Sequence, residues 1–158
     1  MIILKIKDRG EIKIELDEKA APITAQNFAE LVGSGFYDGL TFHRVIEGFM
    51  IQGGCPSGTG TGGSGKNIIG EFAINGHSNP LKHTRGVLSM ARSMMPNSAS
   101  SQFFIMHQNS PHLDGQYAAF GKVIDGMDIV DSIAATDTDR SDRPLSPVVI
   151  EKAWIVEE

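Results

Sequence analysis

From residue 36 onward the apolar residues come in runs only a few positions long, and glycine-rich turns separate them. The runs are Thr41 to Val45, Phe49 to Gln52, Gly86 to Ala91, Phe103 to His107 and Ala118 to Val123. Runs of this length, bounded by Gly, Pro, Asn and Ser, suit strands rather than helices, and the rhythm predicts a mainly β body. The first sixteen residues fit it: Ile2, Leu4 and Ile6, then Ile12, Ile14 and Leu16, alternate with polar positions around Asp8-Arg9-Gly10. Period two with charges between predicts a half-buried antiparallel hairpin.

Two segments break the β rhythm. Pro22 begins a stretch in which Phe28, Leu31 and Val32 share a helical face, with Gly33 and Gly35 at its end. Asp125 reads as the cap of a second helix whose stripe is Met127, Val130, Ile133 and Ala134. After a polar loop, Thr136 to Pro147, a last strand is expected over Val148 to Val156. Many antiparallel strands with two helices predict a closed barrel whose open ends the helices cover. No repeat or linker divides the chain, so residues 1–158 are read as one domain.

Composition narrows the function classes. The net charge is −5 and no Lys/Arg cluster stands out, which argues against a nucleic-acid partner. The longest apolar runs fall far short of a bilayer span, so no membrane segment is expected. The N-terminal run MIILKIKDRGEIKIEL alternates charges where a signal peptide would be continuously apolar. A single cysteine, Cys55, has no internal disulfide partner, and a passive thiol in a reducing compartment is the simplest reading. A cytoplasmic location is the expectation that follows.

Several motif matches fail on context. Gly58, Gly60 and Gly63 match G-x-G-x-x-G, and Gly60 to Lys66 match most of a phosphate loop. Such loops need a strand leading in and a helix leading out, so that the helix N-terminus meets the phosphates. Here CPS leads in, KNIIGEF (another strand-like run) leads out, and Asn67 stands where a Ser or Thr is needed. The segment reads as a long flexible loop. His43, His77, His83, His107 and His112 show no metal-ligand spacing, and neither metal nor cofactor is expected. Ser98, Ser100 and Ser101 lack a G-x-S-x-G elbow and read as loop hydrogen-bonding groups.

The stretch FHRVIEGFMIQGG, residues 42 to 54, places Arg44 within a few positions of Phe49, Met50 and Gln52. Some fifty residues later SQFFIMHQ sets Gln102 beside Phe103 and Phe104. On spacing alone Arg44 is a surface ion-pair partner and the aromatics are core. Taken together, the two segments suggest one groove floor, apolar with a few aimed polar groups. Strand alternation sends Phe103 and Phe104 to opposite faces, so that one packs the interior and the other faces the groove.

These two segments, with GTGTGG, GVLSMA and LDGQYAAFGKV, resemble a cyclophilin, a peptidyl-prolyl cis-trans isomerase, in order and along nearly the whole chain. The resemblance implies an eight-stranded antiparallel β-barrel capped by two helices, with the active face on the outside of the barrel. It implies a monomer that acts without a cofactor on proline-containing polypeptides. Arg44, Gln52 and Phe49 match the catalytic set. Met50, Phe104 and Leu113 complete a proline pocket with Phe49. Ala91, Arg92 and Ser93 match a segment whose main chain pairs with the bound peptide, and Gly60 and Gln102 match the neighbouring rim.

The chain departs from the common pattern at His112, where many members carry tryptophan, and at Tyr117, where they carry histidine. The loop ARSMMPNSASS is a residue longer than the usual one, as in bacterial forms. Weak cyclosporin binding is the expectation from His112. A proline-binding module with incidental catalysis is the alternative to an isomerase, and it would use the same pocket.

Overall fold

The computed structural model describes residues 1–157. Eight strands, β1 (Ile2–Ile6), β2 (Gly10–Leu16), β3 (Arg44–Ile46), β4 (Met50–Gly53), β5 (Val87–Met90), β6 (Phe103–Met106), β7 (Ala119–Asp125) and β8 (Ile150–Ile155), form one sheet. It is antiparallel throughout, in the order β3-β4-β6-β5-β7-β2-β1-β8. Helix α1 (Pro22–Gly33) packs on β7 and β8, and α2 (Met127–Ala134) packs on β2, β3 and β4.

The predicted hairpin is β1-β2, with Leu4 opposite Ile12 and every inward Ile or Leu of the pattern buried except the half-buried Leu16. The sheet curls strongly, yet it is open: no ladder joins β3 to β8 among the described residues. The expectation of a closed barrel is therefore corrected. The outer edge of β3 is occupied by the late loop, where the Val45 N–H donates to the Asp142 carbonyl at 2.8 Å. The side toward β8 is spanned by irregular chain instead. Phe42 N–H donates to Val148 O (3.0 Å), Ile150 N–H to Leu40 O (2.7 Å), and Thr41 bridges Val149.

Two other local expectations change. KNIIGEF is not a strand; it keeps one isolated bridge, Ile68 with Ala99. Its Glu71 is buried and accepts hydrogen bonds from the Thr24 N–H (2.6 Å) and Thr24 Oγ1 (2.7 Å) at the first turn of α1. A carboxylate there satisfies otherwise orphaned helix N–H groups and complements the positive end of the dipole. The segment is thus drawn to a helix terminus rather than to a sheet edge. Nor does Asp125 cap α2. Gly126 holds that position at φ +97°, and no side chain caps it.

Inside the curl, Phe28 of α1 packs against Tyr37, Phe103 and Phe120 with ring centroids 5.0–5.2 Å apart. Phe103 also meets Tyr37 and Phe42 edge-on. Edge and tilted contacts of this kind suit aromatic quadrupoles. A second apolar cluster lies on the other face of the sheet: Met50, Val87, Phe104, Met106, Leu113 and Ala119. Strands β4 and β6 are apolar on both faces, so Ile51, Phe103 and Ile105 serve the interior while Met50, Phe104 and Met106 serve the outer cluster.

Candidate active site

The outer cluster forms the floor of a small cavity of about 150 Å³, lined by Arg44, Phe49, Met50, Gln52, Ala91, Arg92, Phe104, Leu113 and Tyr117. It is small beside the ~300–1,000 Å³ usual for drug-sized ligands and has room for little more than one side chain. Phe104 is edge-on to Tyr117 (5.8 Å, 83°), and a short 3-10 turn, Pro111–Leu113, brings Leu113 over the floor. His112, exposed on that turn, stacks on Phe49 at 6.0 Å.

Arg44 is exposed and forms no ion pair among the described residues, so the surface ion-pair reading fails. What positions it is the β3-β4 hairpin, whose register sets Arg44 directly opposite Gln52. An Arg44 guanidinium N–H donates to Gln52 Oε1 (3.4 Å). Gln52 Nε2 donates to Gln102 Oε1 (3.0 Å), and Gln102 Nε2 donates to the Gly60 and Gly62 carbonyls (2.9 and 2.8 Å). Each amide accepts from one neighbour and donates to the next, which fixes the side-chain orientations along the whole chain.

That chain ends on the glycine segment, which is pinned rather than flexible. Its Gly60 and Gly62 N–H groups donate to Cys55 Sγ at 3.3 and 3.2 Å, and Ser57 Oγ lies 3.3 Å from the same sulfur. Burial alone pushes the Cys55 thiol up, but the Ser57, Gly62 and Gly60 hydrogen bonds outweigh it and bring it down to about 6. A second basin of about 470 Å³ opens between this loop and residues 91–100, lined by Gly60, Ser93, Ser98 and Gln102 among others. It shares Gln52, Ala91 and Arg92 with the small cavity.

The segment Ala91 to Ser93 lies between the two cavities. Ala91 N–H donates to the Gln102 carbonyl and Ser93 N–H to Ser98 Oγ, so those two donors are engaged within the protein. The Arg92 side chain has a structural part that its sequence did not reveal. Its guanidinium lies 4.8 and 4.7 Å from the Phe72 and Tyr117 ring centroids and donates to the Gln116 carbonyl at 2.7 Å.

Three further residues escaped the sequence reading. Behind Phe104, the buried His83 ring stacks on the Phe104 ring (6.1 Å, 21°). Asp114 Oδ1 accepts from the His83 backbone N–H (2.6 Å) and lies 3.0 Å from Nδ1; Nε2 lies 2.9 Å from Ser89 Oγ. An ionised Asp114 can only accept, so Nδ1 carries the proton and Ser89 donates to Nε2. Burial holds His83 below the ordinary imidazole value against the raising effect of Asp114. Although the order is Asp-His-Ser, Ser89 is fully buried in β5 opposite Phe104, and the chain braces the pocket wall. No metal-holding group of three or more His, Cys, Asp or Glu side chains occurs among the described residues.

A curled antiparallel sheet with an outward pocket on an apolar floor, and Arg44 at its edge, suits a class of protein with a known sequence profile. The profile of the cyclophilin type peptidyl-prolyl cis-trans isomerases matches residues 1–155, and the chain belongs to that family. A peptidyl-prolyl cis-trans isomerase of Arabidopsis thaliana is 47% identical over 92% of this chain and 90% of its own. Peptidyl-prolyl cis-trans isomerase B of Bacillus subtilis is 48% identical over 84% and 89%. A cyclophilin type isomerase of Cryptosporidium parvum, crystallised in the presence of the dipeptide Ala-Pro, superposes with a TM-score of 0.90. It is 36% identical, with 99% of each chain covered.

Proposed function

We propose that this protein accelerates cis-trans rotation about X-Pro bonds in unfolded or flexible polypeptides and so assists their folding. The observation that carries the reading is Arg44, held by Gln52 at the edge of a one-residue apolar cavity. Rotation costs ~18–20 kcal/mol because amide resonance must be broken. Millisecond turnover needs a barrier near ~14 kcal/mol, a reduction of about 4–6 kcal/mol. No bond is made or broken, so nothing in the task calls for a nucleophile or a redox group.

In the twisted state the prolyl nitrogen becomes pyramidal and gains a lone pair. A guanidinium N–H aimed at that nitrogen stabilises the twisted amide more than the planar one, which is the condition for catalysis. One charge-assisted hydrogen bond of this kind supplies ~3 kcal/mol. The rest comes from anchoring the ring among Phe49, Met50, Phe104 and Leu113 while the preceding carbonyl swings. The Ala91 and Arg92 carbonyls and the Arg92 N–H, rather than the occupied Ser93 N–H, pair with the substrate backbone.

The deciding experiment is a prolyl-peptide exchange assay on wild type and Arg44→Ala. Turnover is expected to fall about 100-fold, the equivalent of ~3 kcal/mol, with peptide binding largely kept. Exchange unchanged by the substitution would refute the Arg44 mechanism. Weak cyclosporin binding belongs to the same reading, because the His112 imidazole offers less apolar face than an indole; stoichiometric inhibition by the drug would refute it. The lone Cys55 supports a reducing, cytoplasmic location, which fractionation of cells would test, and we take the working unit to be the monomer.

A further inference from the structure

His107 directly follows β6 and lines neither cavity, yet it holds the turn that carries Phe49. Its backbone N–H donates to the Phe49 carbonyl at 2.9 Å, and its ring Nδ1 accepts from the Gly48 N–H at 2.8 Å. On the other side of the ring, Nε2 lies 3.2 Å from Asp131 Oδ1 on α2. Asp131 is fixed in turn by Arg85, which gives each carboxylate oxygen a guanidinium N–H at 2.7 Å and donates to the His107 carbonyl at 3.0 Å. The imidazole thus bridges α2 and the β3-β4 turn, with its side chain 12% exposed.

These contacts fix where the ring proton sits. A backbone N–H can only donate, so Nδ1 is bare; an ionised Asp131 can only accept, so Nε2 carries the proton. The Arg85 hydrogen bonds hold the Asp131 carboxyl below its ordinary 3.8, which keeps it ionised wherever histidines titrate. A second proton has one place to go, Nδ1, where it meets the Gly48 N–H. Two donors cannot share one hydrogen bond, so protonation of His107 breaks this contact. The charged groups around the ring pull in opposite directions. Asp131 of α2 attracts an imidazolium and Arg85, before β5, repels it, while the exposed Glu47 stands beside Gly48 on the turn.

What hangs on the contact is the proline pocket. Gly48 is exposed, at φ +81°, and its N–H has no other acceptor among the described residues. Phe49, next in the chain, is one wall of the small cavity, and Arg44, Met50 and Gln52 sit on the two strands the turn joins. We propose that neutral His107 is a positioning residue: it latches the β3-β4 turn so that Phe49 stands against the bound proline, and its protonation releases the turn. Turnover is then highest where His107 is neutral and falls in acid, although Arg44 stays charged throughout. This rests on the reading of the Arg44 groove as the isomerase site.

The test follows two quantities in wild type from about pH 8 to pH 5.5, the range in which histidines gain charge. One is kcat/KM for a prolyl peptide; the other, read without substrate, is the Gly48 amide shift by NMR. kcat/KM is expected to fall about threefold to tenfold, the scale of one lost hydrogen bond, and the amide to move upfield with the same midpoint. His107→Asn sets Oδ1 where Nδ1 stands and cannot take up a proton, so it should keep the latch and abolish the decline. His107→Ala, with no acceptor, should show the acid level of wild type at every pH. A wild-type kcat/KM flat over this range, or a Gly48 amide that does not titrate, would overturn the proposal. So would a decline kept by His107→Asn, which would assign it to another histidine such as His43 or His112. Absence of turnover at every pH would count against the isomerase reading, and the amide titration would still decide the latch.

Discussion

Arg44 is set by an amide chain rather than by a carboxylate, which leaves its donors free for a substrate nitrogen. Gln102 is the middle of that chain, bonded to Gln52 on one side and to the glycine loop on the other. Replacing it with Leu keeps the volume but leaves the Gln52 amide and two carbonyls without this partner, each a costly omission where water is scarce. Gln102→Leu is expected to lower kcat/KM about tenfold, or ~1.4 kcal/mol, and to raise glycine-loop mobility in NMR relaxation; unchanged kcat/KM would remove Gln102 from the positioning of Arg44. At Gly54 the constraint is steric. Its φ is +89°, and a Cβ would lie 2.6 Å from the Ser101 carbonyl and 2.9 Å from the Tyr37 ring. Gly54→Ala should therefore destabilise by roughly 1–3 kcal/mol or more, read as a lower urea midpoint at constant slope.

Strand β6 shows how one element serves two purposes. Phe103 points into the aromatic interior and Phe104 into the outer cluster, a direct result of the two-residue period of a strand. Their substitutions should part company. Phe103→Ala opens a hole among Phe28, Tyr37 and Phe42 and is expected to cost about 3–5 kcal/mol of stability, with KM near wild type. Phe104→Ala removes the back wall of the cavity and should lower kcat/KM by about tenfold or more, the loss of ~1.4 kcal/mol or more of binding. Chemical denaturation and the exchange assay, run on both variants, check the division; a shared pattern of effects would contradict it. The alternation was legible in SQFFI itself. The brace behind Phe104 was not, because His83, Ser89 and Asp114 lie on separate segments and show no local spacing.

At the scale of the whole molecule, acid should unfold the protein in two stages. Burial holds His43 and His83 below the ordinary imidazole value of 6.5. The unfolded chain therefore takes up their protons first, and stability present above about pH 6.5 is lost as pH falls toward their folded values. Asp131, hydrogen-bonded to Arg85, and Asp114, whose bonds to His83 outweigh its burial, are held below the ordinary 3.8. Their contribution, present above that value, is lost as pH falls through their folded values. Thermal midpoints measured from pH 8 to pH 2 should show both declines, and His83→Gln should weaken the first; a midpoint flat between pH 7 and 5 would contradict this assignment. The sequence alone determined the mainly β body, the hairpin and both helices, and its resemblance to the cyclophilins implied the groove-facing set from Arg44 to Leu113. These follow from period, from turn residues and from motif order, all of which act over short stretches. Only the tertiary structure decided that the sheet stays open between β3 and β8, because the Asp142 carbonyl takes the edge that closure would need. It also decided that Glu71 caps a helix 47 residues away and that Cys55 and Gln102 hold the glycine loop. Such pairings depend on which distant donor reaches which acceptor, and no local pattern in the chain encodes that.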